Sequence, residues 1–235
     1  MSEQPYSVFN AMTDIVAAPG KALDEVKKHT AWLWWPLLIN VGLAVAATVY
    51  YAYWVDMEWL IDDTIANLPP GTDPAAADSV RSFMGPSKTA IFGSVAIVVI
   101  TFLIYALQAL WLHLVNKVVA DEDFTFGQWF SFSAWTGFIG VINTLVMLGV
   151  IFSADNNQLA QADLVPLSIN ALIIHAAPNE PWFTWGSSLT LIHIWMLVLM
   201  SIGVARWTGA SMIKAALIAC TPWVALFGIW ALLIG

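Results

Sequence analysis

The sequence predicts an all-α, polytopic membrane protein with five transmembrane helices and additional amphipathic interfacial helices. Of its 235 residues, 60% are hydrophobic and only 10% are charged, whereas ordinary soluble domains are roughly a quarter charged. Five apolar stretches also reach the length of about 20 residues that a helix needs to cross a bilayer. These stretches lie at about 33–54, 90–115, 129–152, 187–205 and 212–234. A chain this apolar cannot hide its side chains in a water-soluble core of this size.

The region before the first span is predicted to be a cytoplasmic amphipathic segment. It comprises residues 1–32, and residues 33–235 then form the five-helix transmembrane domain. Two short helices are expected in the segment, separated by a break at Pro19-Gly20. Their apolar stripes consist of Phe9, Met12 and Val16, followed by Ala22, Leu23 and Val26. Such stripes suit helices that lie on the surface of a membrane.

Local signals predict where helices begin between the spans. Met57–Leu68 is predicted to be helical, and Asp73 is expected to cap a further helix that has Pro74 at its first position. Thr125 and Gln128 have the spacing of a capping box, in which each residue satisfies a free backbone N–H of the other. This box is expected to begin the third span.

Two further segments carry local predictions. Leu164–Ile174 is apolar but too short to span, and it is predicted to be a helix that lies at the interface or packs over the bundle, with an ordered loop as the alternative. Pro222 lies well inside the fifth span. Because proline has no backbone N–H, it removes one helical hydrogen bond and is expected to kink the helix.

The basic residues predict the orientation of the chain, because cytoplasmic loops carry an excess of lysine and arginine. With the N-terminus inside, six basic residues fall on the cytoplasmic side and two fall outside. The six are Lys21, Lys27, Lys28, Lys117, Arg206 and Lys214, and the two are Arg81 and Lys88. The N-terminus is therefore predicted to be cytoplasmic and the C-terminus to lie outside.

Composition also bears on partners and chemistry. The net charge of −8 disfavours nucleic acid, which requires a basic surface. Cys220 is the single cysteine, so no disulfide forms within the chain. His113 and His193 belong to opposite halves of the membrane, which argues against a shared metal site. No catalytic motif is present, and no catalytic residue, metal or cofactor is predicted.

Polar side chains at membrane depth are the best candidates for functional residues, because they are costly there. Asn40 and Gln108 fall about 10 Å below the cytoplasmic surface, and Asn143 and His193 fall at a similar depth below the outer surface, from the helical rise. Two interpretations are open: the layers line a pathway, or they hold helices together through hydrogen bonds worth about 0.6 kcal/mol each. Asn143 and His193 are expected to pair.

Two charged clusters on the cytoplasmic side are candidates for facing a partner. The basic cluster consists of Lys21, Lys27 and Lys28, and the acidic cluster consists of Asp121, Glu122 and Asp123. Lysines next to a span also anchor it, because each contributes about 1 kcal/mol near an anionic membrane surface. Partner binding and simple anchoring are both open for these residues.

Three stretches resemble a known family. They are IVAAPGKALDEVKKHTAWLWWPLL, LVNKVVADEDFTFGQWFSFSAW and IGVARWTGASMIKAA. Together with five spans and a cytoplasmic N-terminus, they resemble the YIP family, the Ypt/Rab-interacting proteins of the Yip-one domain type, in its bacterial branch. The resemblance implies a five-helix bundle and, in eukaryotic relatives, binding of prenylated Rab-type GTPases. No DLYGP-like motif precedes the first span here, so no binding residue is carried over.

The sequence thus predicts a non-enzymatic interaction or membrane-organising module in a bacterial inner membrane. Its expected partners are the lipid bilayer and other membrane proteins or a second copy of the chain. The alternative is a transporter or channel for a small neutral or cationic solute, whose path the polar layers would line. An enzyme is the third possibility, and no paired nucleophile and base supports it.

Overall fold

The computed structural model describes residues 6–119 and 122–234, and these residues form α-helices joined by turns and one isolated antiparallel bridge. The helices are α1 (Val8–Ala17), α2 (Pro19–Lys28), α3 (Trp34–Trp54), α4 (Met57–Ala66), α5 (Ala75–Phe83), α6 (Pro86–Val119), α7 (Phe126–Gly137), α8 (Val141–Ser153), α9 (Pro181–Ser188), α10 (Leu191–Thr208) and α11 (Met212–Ile234). The predicted all-α class is confirmed.

Five helical segments among the described residues are long and apolar enough to cross a membrane. They are Thr30–Trp54, Pro86–Val119, Phe126–Ser153, Leu191–Thr208 and Met212–Ile234. Large aliphatic side chains cover their outer surfaces; Val99, for example, is 56% exposed and Leu232 is 83% exposed. Surfaces of this kind are favourable against lipid and unfavourable against water. The five predicted spans are therefore confirmed, and the chain is a membrane protein in contact with lipid.

The fourth span begins later than predicted. The expected start at Ser187 lies in the separate helix α9, and α10 begins at Leu191. Between them the backbone is extended, and Thr190 forms an antiparallel bridge with Ser168. The N–H of Leu191 donates to the carbonyl of Leu167 at 3.0 Å. This pairing with a distant segment ends α9, although the apolar composition continues.

The third span is interrupted, which the sequence analysis did not predict. A 3₁₀ turn at Phe138–Gly140 separates α7 from α8. Just before it, the carbonyl of Gly137 accepts a hydrogen bond from Asn40 Nδ2 at 3.4 Å. A Cβ atom added at Gly137 would overlap the ring of Tyr105. A glycine is thus required where a neighbouring side chain approaches the backbone closely.

Leu164–Ile174 forms short helical turns rather than one regular helix. A 3₁₀ turn covers Gln161–Leu164, and a single π-helical turn covers Asn170–Ile174. Neither the helix nor the loop interpretation describes the whole segment. Between the two turns the backbone pairs with the chain just before α10, where the N–H of Ile169 donates to the carbonyl of Leu189 at 2.7 Å.

The N-terminal helices form as predicted, but α2 packs differently from the prediction. The chain breaks at Ala18 (φ −146°, ψ 61°), and Pro19 occupies the first position of α2, where its missing N–H costs nothing. The apolar stripe of α2, which comprises Ala22, Leu23 and Val26, is fully buried. This stripe was expected to lie on the membrane, and it packs on protein instead because the chain supplies an apolar surface for it.

The predicted capping box is confirmed, because Thr125 and Gln128 form it at the start of α7. Asp56, which was not predicted as a cap, accepts a bond from the N–H of Trp59 at 3.1 Å at the start of α4. Asp73 accepts a bond from the N–H of Ala75 at 2.8 Å, as an N-cap does. The helix begins at Ala75, one residue later than predicted.

The chain divides into two compact units, each with its own core. The first contains the described residues of Met1–Val41, Ile100–Gly140 and His193–Ile229, and the second contains those of Gly42–Val99, Val141–Ile192 and Trp230–Gly235. The buried residues of one core cluster in the second unit are Tyr51, Val55, Leu60, Ile151 and Leu164. Tyr51 Oη donates to the carbonyl of Leu159 at 2.7 Å, which satisfies the polar end of its ring.

Candidate functional site

An aromatic cluster lies at the centre of the first unit. The rings of Phe132 and Trp129 lie 5.0 and 5.1 Å from the ring of Trp207 on α10. These distances are typical of favourable aromatic pairs, which contribute beyond the area they bury. A Cβ atom added at Gly203 would overlap Phe132 and press on Leu23 of α2. The cluster therefore brings α2, α7 and α10 into close contact.

Charged and polar bonds hold α2 on this cluster. Arg206 donates from Nε to Asp24 Oδ1 at 2.8 Å and from Nη2 to the second carboxylate oxygen. The indole N–H of Trp207 donates to the carbonyl of Leu23 at 3.0 Å. The hydrogen bonds from Arg206 hold the pKa of Asp24 below its usual value. A bidentate pair of this kind fixes geometry as well as charge.

The side chains predicted to face a partner pair largely with residues of the same chain. Lys27 Nζ lies 2.7 Å from Glu122 Oε2 and 4.6 Å from the centre of the Phe124 ring. Lys21 pairs with Asp14 at 3.1 Å. Asp121 lies outside the described residues.

The remaining members of the two charged clusters lie at the surface. Lys28 pairs with Glu25 at 2.8 Å, and Asp123 is exposed. The side chains of Lys21 and Lys28 are 62% and 63% exposed, so both remain accessible despite their pairs. A role of these residues in partner binding stays a prediction.

A second charged contact lies near the N-terminus and involves Tyr6, Asp14 and Lys21. Tyr6 Oη donates to Asp14 Oδ2 at 3.0 Å, and Lys21 reaches the same carboxylate. The bond from Lys21, followed by the bond from Tyr6, lowers the pKa of Asp14. Burial, followed by the bond to this carboxylate, raises the pKa of Tyr6. The carboxylate of Asp14 thus links the residues before α1 to the start of α2.

Asn40 connects three segments at membrane depth. Its Nδ2 donates to Tyr105 Oη at 3.2 Å on α6 and to the carbonyl of Gly137 at 3.4 Å on α7. Tyr105 was not among the predicted polar candidates, because a tyrosine within an apolar stretch does not stand out as a polar residue. The three residues form a polar contact between helices, in which each buried group finds a partner.

Gln108 is the second polar candidate in this unit. It is only 5% exposed, and its Nε2 lies 3.2 Å from the sulfur of Met200 on α10. Its Oε1 has no hydrogen-bond partner. Gln108 also lines an apolar cavity of about 260 Å³ beside α11. A buried amide oxygen without a hydrogen-bond partner is costly.

Asn143 and His193 each have a described neighbour. Asn143 Nδ2 donates to Thr190 Oγ1 at 3.2 Å, and the ring of His193 lies 6.0 Å from the ring of Trp223 on α11. The pairing of Asn143 with His193 stays a prediction. Thr190, which the sequence analysis did not consider, lies at the bridge that precedes α10.

A contact between α6 and α11 satisfies the backbone at Pro222. Because proline has no N–H, the carbonyl four residues earlier, that of Ile218, loses its helical donor. The indole N–H of Trp111 donates to this carbonyl at 2.9 Å. The helix Met212–Ile234 is continuous through Pro222, and the expected kink stays a prediction. The proline indicated that a carbonyl in this span needed a hydrogen-bond donor from another residue, but the sequence did not identify Trp111 as that donor.

The second unit contains a cavity of about 590 Å³ with both polar and apolar lining residues. Three segments line it: α4 with the turn that follows it, the turn that begins at Ala160, and the chain from Asn170 to Phe183. Its carboxylate wall residues are Asp63 and Asp163. No site was predicted here, because the cavity depends on two connections that are far apart in the sequence.

Among residues 6–119 and 122–234, no group of three or more histidine, cysteine, aspartate or glutamate side chains is arranged to hold a metal ion. The described polar groups bind helices to one another, hold α2 in place and contribute to the walls of two cavities. They support binding and structural roles.

A comparison with known protein families gives a match over nearly the whole chain. A family model described as the Yip1 domain matches residues 13–233. No curated protein and no solved structure matches the chain. The family resemblance predicted from the three sequence stretches is confirmed by this match.

Proposed function

This chain belongs to the Yip1 domain family, and on that premise we propose that it is a non-enzymatic membrane protein that binds and organises other membrane components. The observation that carries the proposal is the contact of Asn40 with Tyr105 and Gly137. Polar groups at membrane depth are expected to face a shared water-filled space in a transporter. Asn40 instead binds one helix to another, which supports a structural role.

The cytoplasmic surface formed by α1 and α2 is the proposed partner-binding surface. Arg206 and Trp207 hold α2 on the first unit, so the surface is fixed before a partner arrives. Lys21 and Lys28 remain exposed on it. A preorganised surface with accessible charges binds without a large ordering cost. The proposed partners are other membrane proteins or a second copy of this chain.

In-membrane photocrosslinking tests this proposal. A photoreactive amino acid replaces Met12 on α1, and crosslinked proteins are quantified by mass spectrometry with and without Lys21→Glu and Lys28→Glu. The unfolding temperature of the double variant establishes that its fold is retained, because the carboxylate partners Asp14 and Glu25 are only 22% and 23% exposed. The double charge reversal is expected to lower the recovery of specific partners about threefold or more. Lys88→Glu, on the opposite side of the membrane from α2, is the matched control.

An unchanged set and yield of crosslinked proteins in the charge-reversed variant would contradict the proposal. Solute flux in proteoliposomes that is lost in Asn40→Ala, without loss of stability, would favour the transporter alternative. The organising role instead predicts that Asn40→Ala lowers stability and leaves flux at the level of protein-free vesicles.

We also propose that the chain lies in a bacterial inner membrane with its N-terminus inside and its C-terminus outside. The six-to-two distribution of basic residues supports this orientation. In a Cys220→Ala background, a cysteine at the exposed position 157 is expected to react with an impermeant thiol reagent added outside. A cysteine at position 4 is expected to react only after the membrane is opened. The reverse pattern would refute the orientation.

A further inference from the structure

We propose that the cavity of the second unit binds a small organic ammonium ion. The volume of about 590 Å³ lies within the range of roughly 300–1,000 Å³ that is usual for small-molecule sites. α4 contributes Leu60, Asp63 and Thr64 to its wall, and their spacing of three or four residues places them on one side of the helix. Asn67 and Leu68, in the turn that follows α4, and two connecting segments supply the rest of the wall. The cavity is therefore a concave surface, partly open to solvent, with a helix along one side.

The charge of the wall selects a cation. Asp63 and Asp163 stand on different elements and both line the cavity, and no lysine or arginine is among the lining residues. Asp63 Oδ1 accepts a bond from Asn67 Nδ2 at 3.2 Å, a neutral partner. Asp63 is half-buried and Asp163 is exposed. Carboxylates without a cationic partner attract a positive ligand.

The basic residues of the second unit do not neutralise the cavity. This unit contains nine aspartate and glutamate residues but only two lysine or arginine residues, Arg81 and Lys88; its one histidine, His175, lines the cavity. Arg81 donates to Asp62 at 3.0 Å, and Lys88 donates to the carbonyl of Ser82. Neither contacts a carboxylate of the cavity, so the negative charge there is available to a ligand.

The size and lining of the cavity favour an organic cation over a metal ion. No described group of three ligating side chains is arranged for a metal. The wall also includes the apolar side chains of Leu60, Leu68, Pro178 and Phe183. An organic ammonium ion matches both features, because its charge meets the carboxylates while its hydrocarbon body covers the apolar wall. The ring of Phe183 also offers a face for a cation.

Both connections that form the cavity lie on the same side of the membrane. One joins the first and second spans and the other joins the third and fourth, so two crossings separate them. The cavity therefore faces the aqueous phase at one membrane surface, where a soluble amine reaches it. Amine binding requires neither transport nor a protein partner. Its test can therefore fail without affecting the proposed organising role, and the reverse is also true.

Calorimetric titration of the purified full-length chain in nanodiscs of zwitterionic lipid tests the site. The probes are 1,5-diaminopentane, pentylamine and pentanol, which share a five-carbon body and carry two, one and no ammonium groups. Affinity is expected to fall in that order. Asp63→Asn and Asp163→Asn are each expected to weaken diamine binding about fivefold. Asp73→Asn, in an exposed cap outside the cavity, keeps the cap and is expected to leave binding unchanged.

Unfolding temperatures without amine establish that each variant is folded. Equal affinity for the alcohol and the amines would overturn the assignment of a cation site. If Asp73→Asn weakened diamine binding as much as Asp63→Asn, the binding would reflect the general negative charge of the surface. That result would also overturn the assignment of a cation site. Tighter binding of magnesium ion than of the diamine, with competition between them, would replace the organic ligand with a metal.

Discussion

The hydrogen bond from Trp111 to the carbonyl of Ile218 leads to a prediction about how a proline is tolerated inside a span. Pro222 leaves that carbonyl without its helical donor, and the indole N–H supplies another at 2.9 Å. Trp111→Phe removes the donor and keeps an aromatic ring. In a Pro222→Ala background, the new backbone N–H at position 222 can donate to the same carbonyl. The two substitutions should therefore be coupled.

The coupling can be estimated from the groups involved. Interhelical hydrogen bonds in membranes average about 0.6 kcal/mol and reach about 1.7 kcal/mol, and a buried carbonyl left unsatisfied costs about 1–3 kcal/mol. Trp111→Phe is therefore expected to cost more in the wild type than in the Pro222→Ala background, by about 1 kcal/mol. The packing lost with the larger ring is common to both backgrounds and cancels in a double-mutant cycle.

The measurement is the free energy of unfolding of the four proteins in one detergent. Trp34→Phe in the same two backgrounds is the control, because Trp34 is an exposed tryptophan on α3. Its effect is expected to be additive with Pro222→Ala. If Trp111→Phe were also additive within about 0.3 kcal/mol, the indole would not be replacing the missing donor, and the reasoning would be refuted.

Two further predictions concern the first unit. Gly203→Ala is expected to lower the stability by about 1–3 kcal/mol, because its Cβ would overlap Phe132. Gly42→Ala, whose Cβ meets no atom within 4 Å, is expected to be neutral or slightly stabilising, and equal thermal melts for both variants would contradict the first expectation. The lowered pKa of Asp24 beside Arg206 means that their pairing stabilises the fold above about pH 4 and is lost as the pH falls through the folded-state pKa. Wild type is therefore expected to lose more stability than Asp24→Asn between pH 6 and pH 3, by no more than about 1 kcal/mol because the pair is exposed, and parallel pH profiles would show that the pair contributes nothing.

Features that depend on neighbouring residues were predictable from the sequence. The last span was expected at 212–234, and α11 has those bounds. The length of an uninterrupted apolar run can be counted directly in the sequence. The capping box of Thr125 and Gln128 was also predictable, since one helical turn contains both partners. The family match over residues 13–233 confirms that short motifs around the spans carried enough information to identify the family.

Features that depend on distant residues were decided only by the tertiary structure. The start of the fourth span moved to Leu191 because Thr190 pairs with Ser168. The stripe on α2 was identified correctly, but the surface that covers it includes Trp207, which lies 184 residues from Leu23. An apolar stripe has the same pattern whether lipid or protein covers it. Which surface covers it, and which donor reaches a buried carbonyl, depends on segments that only the folded chain brings together.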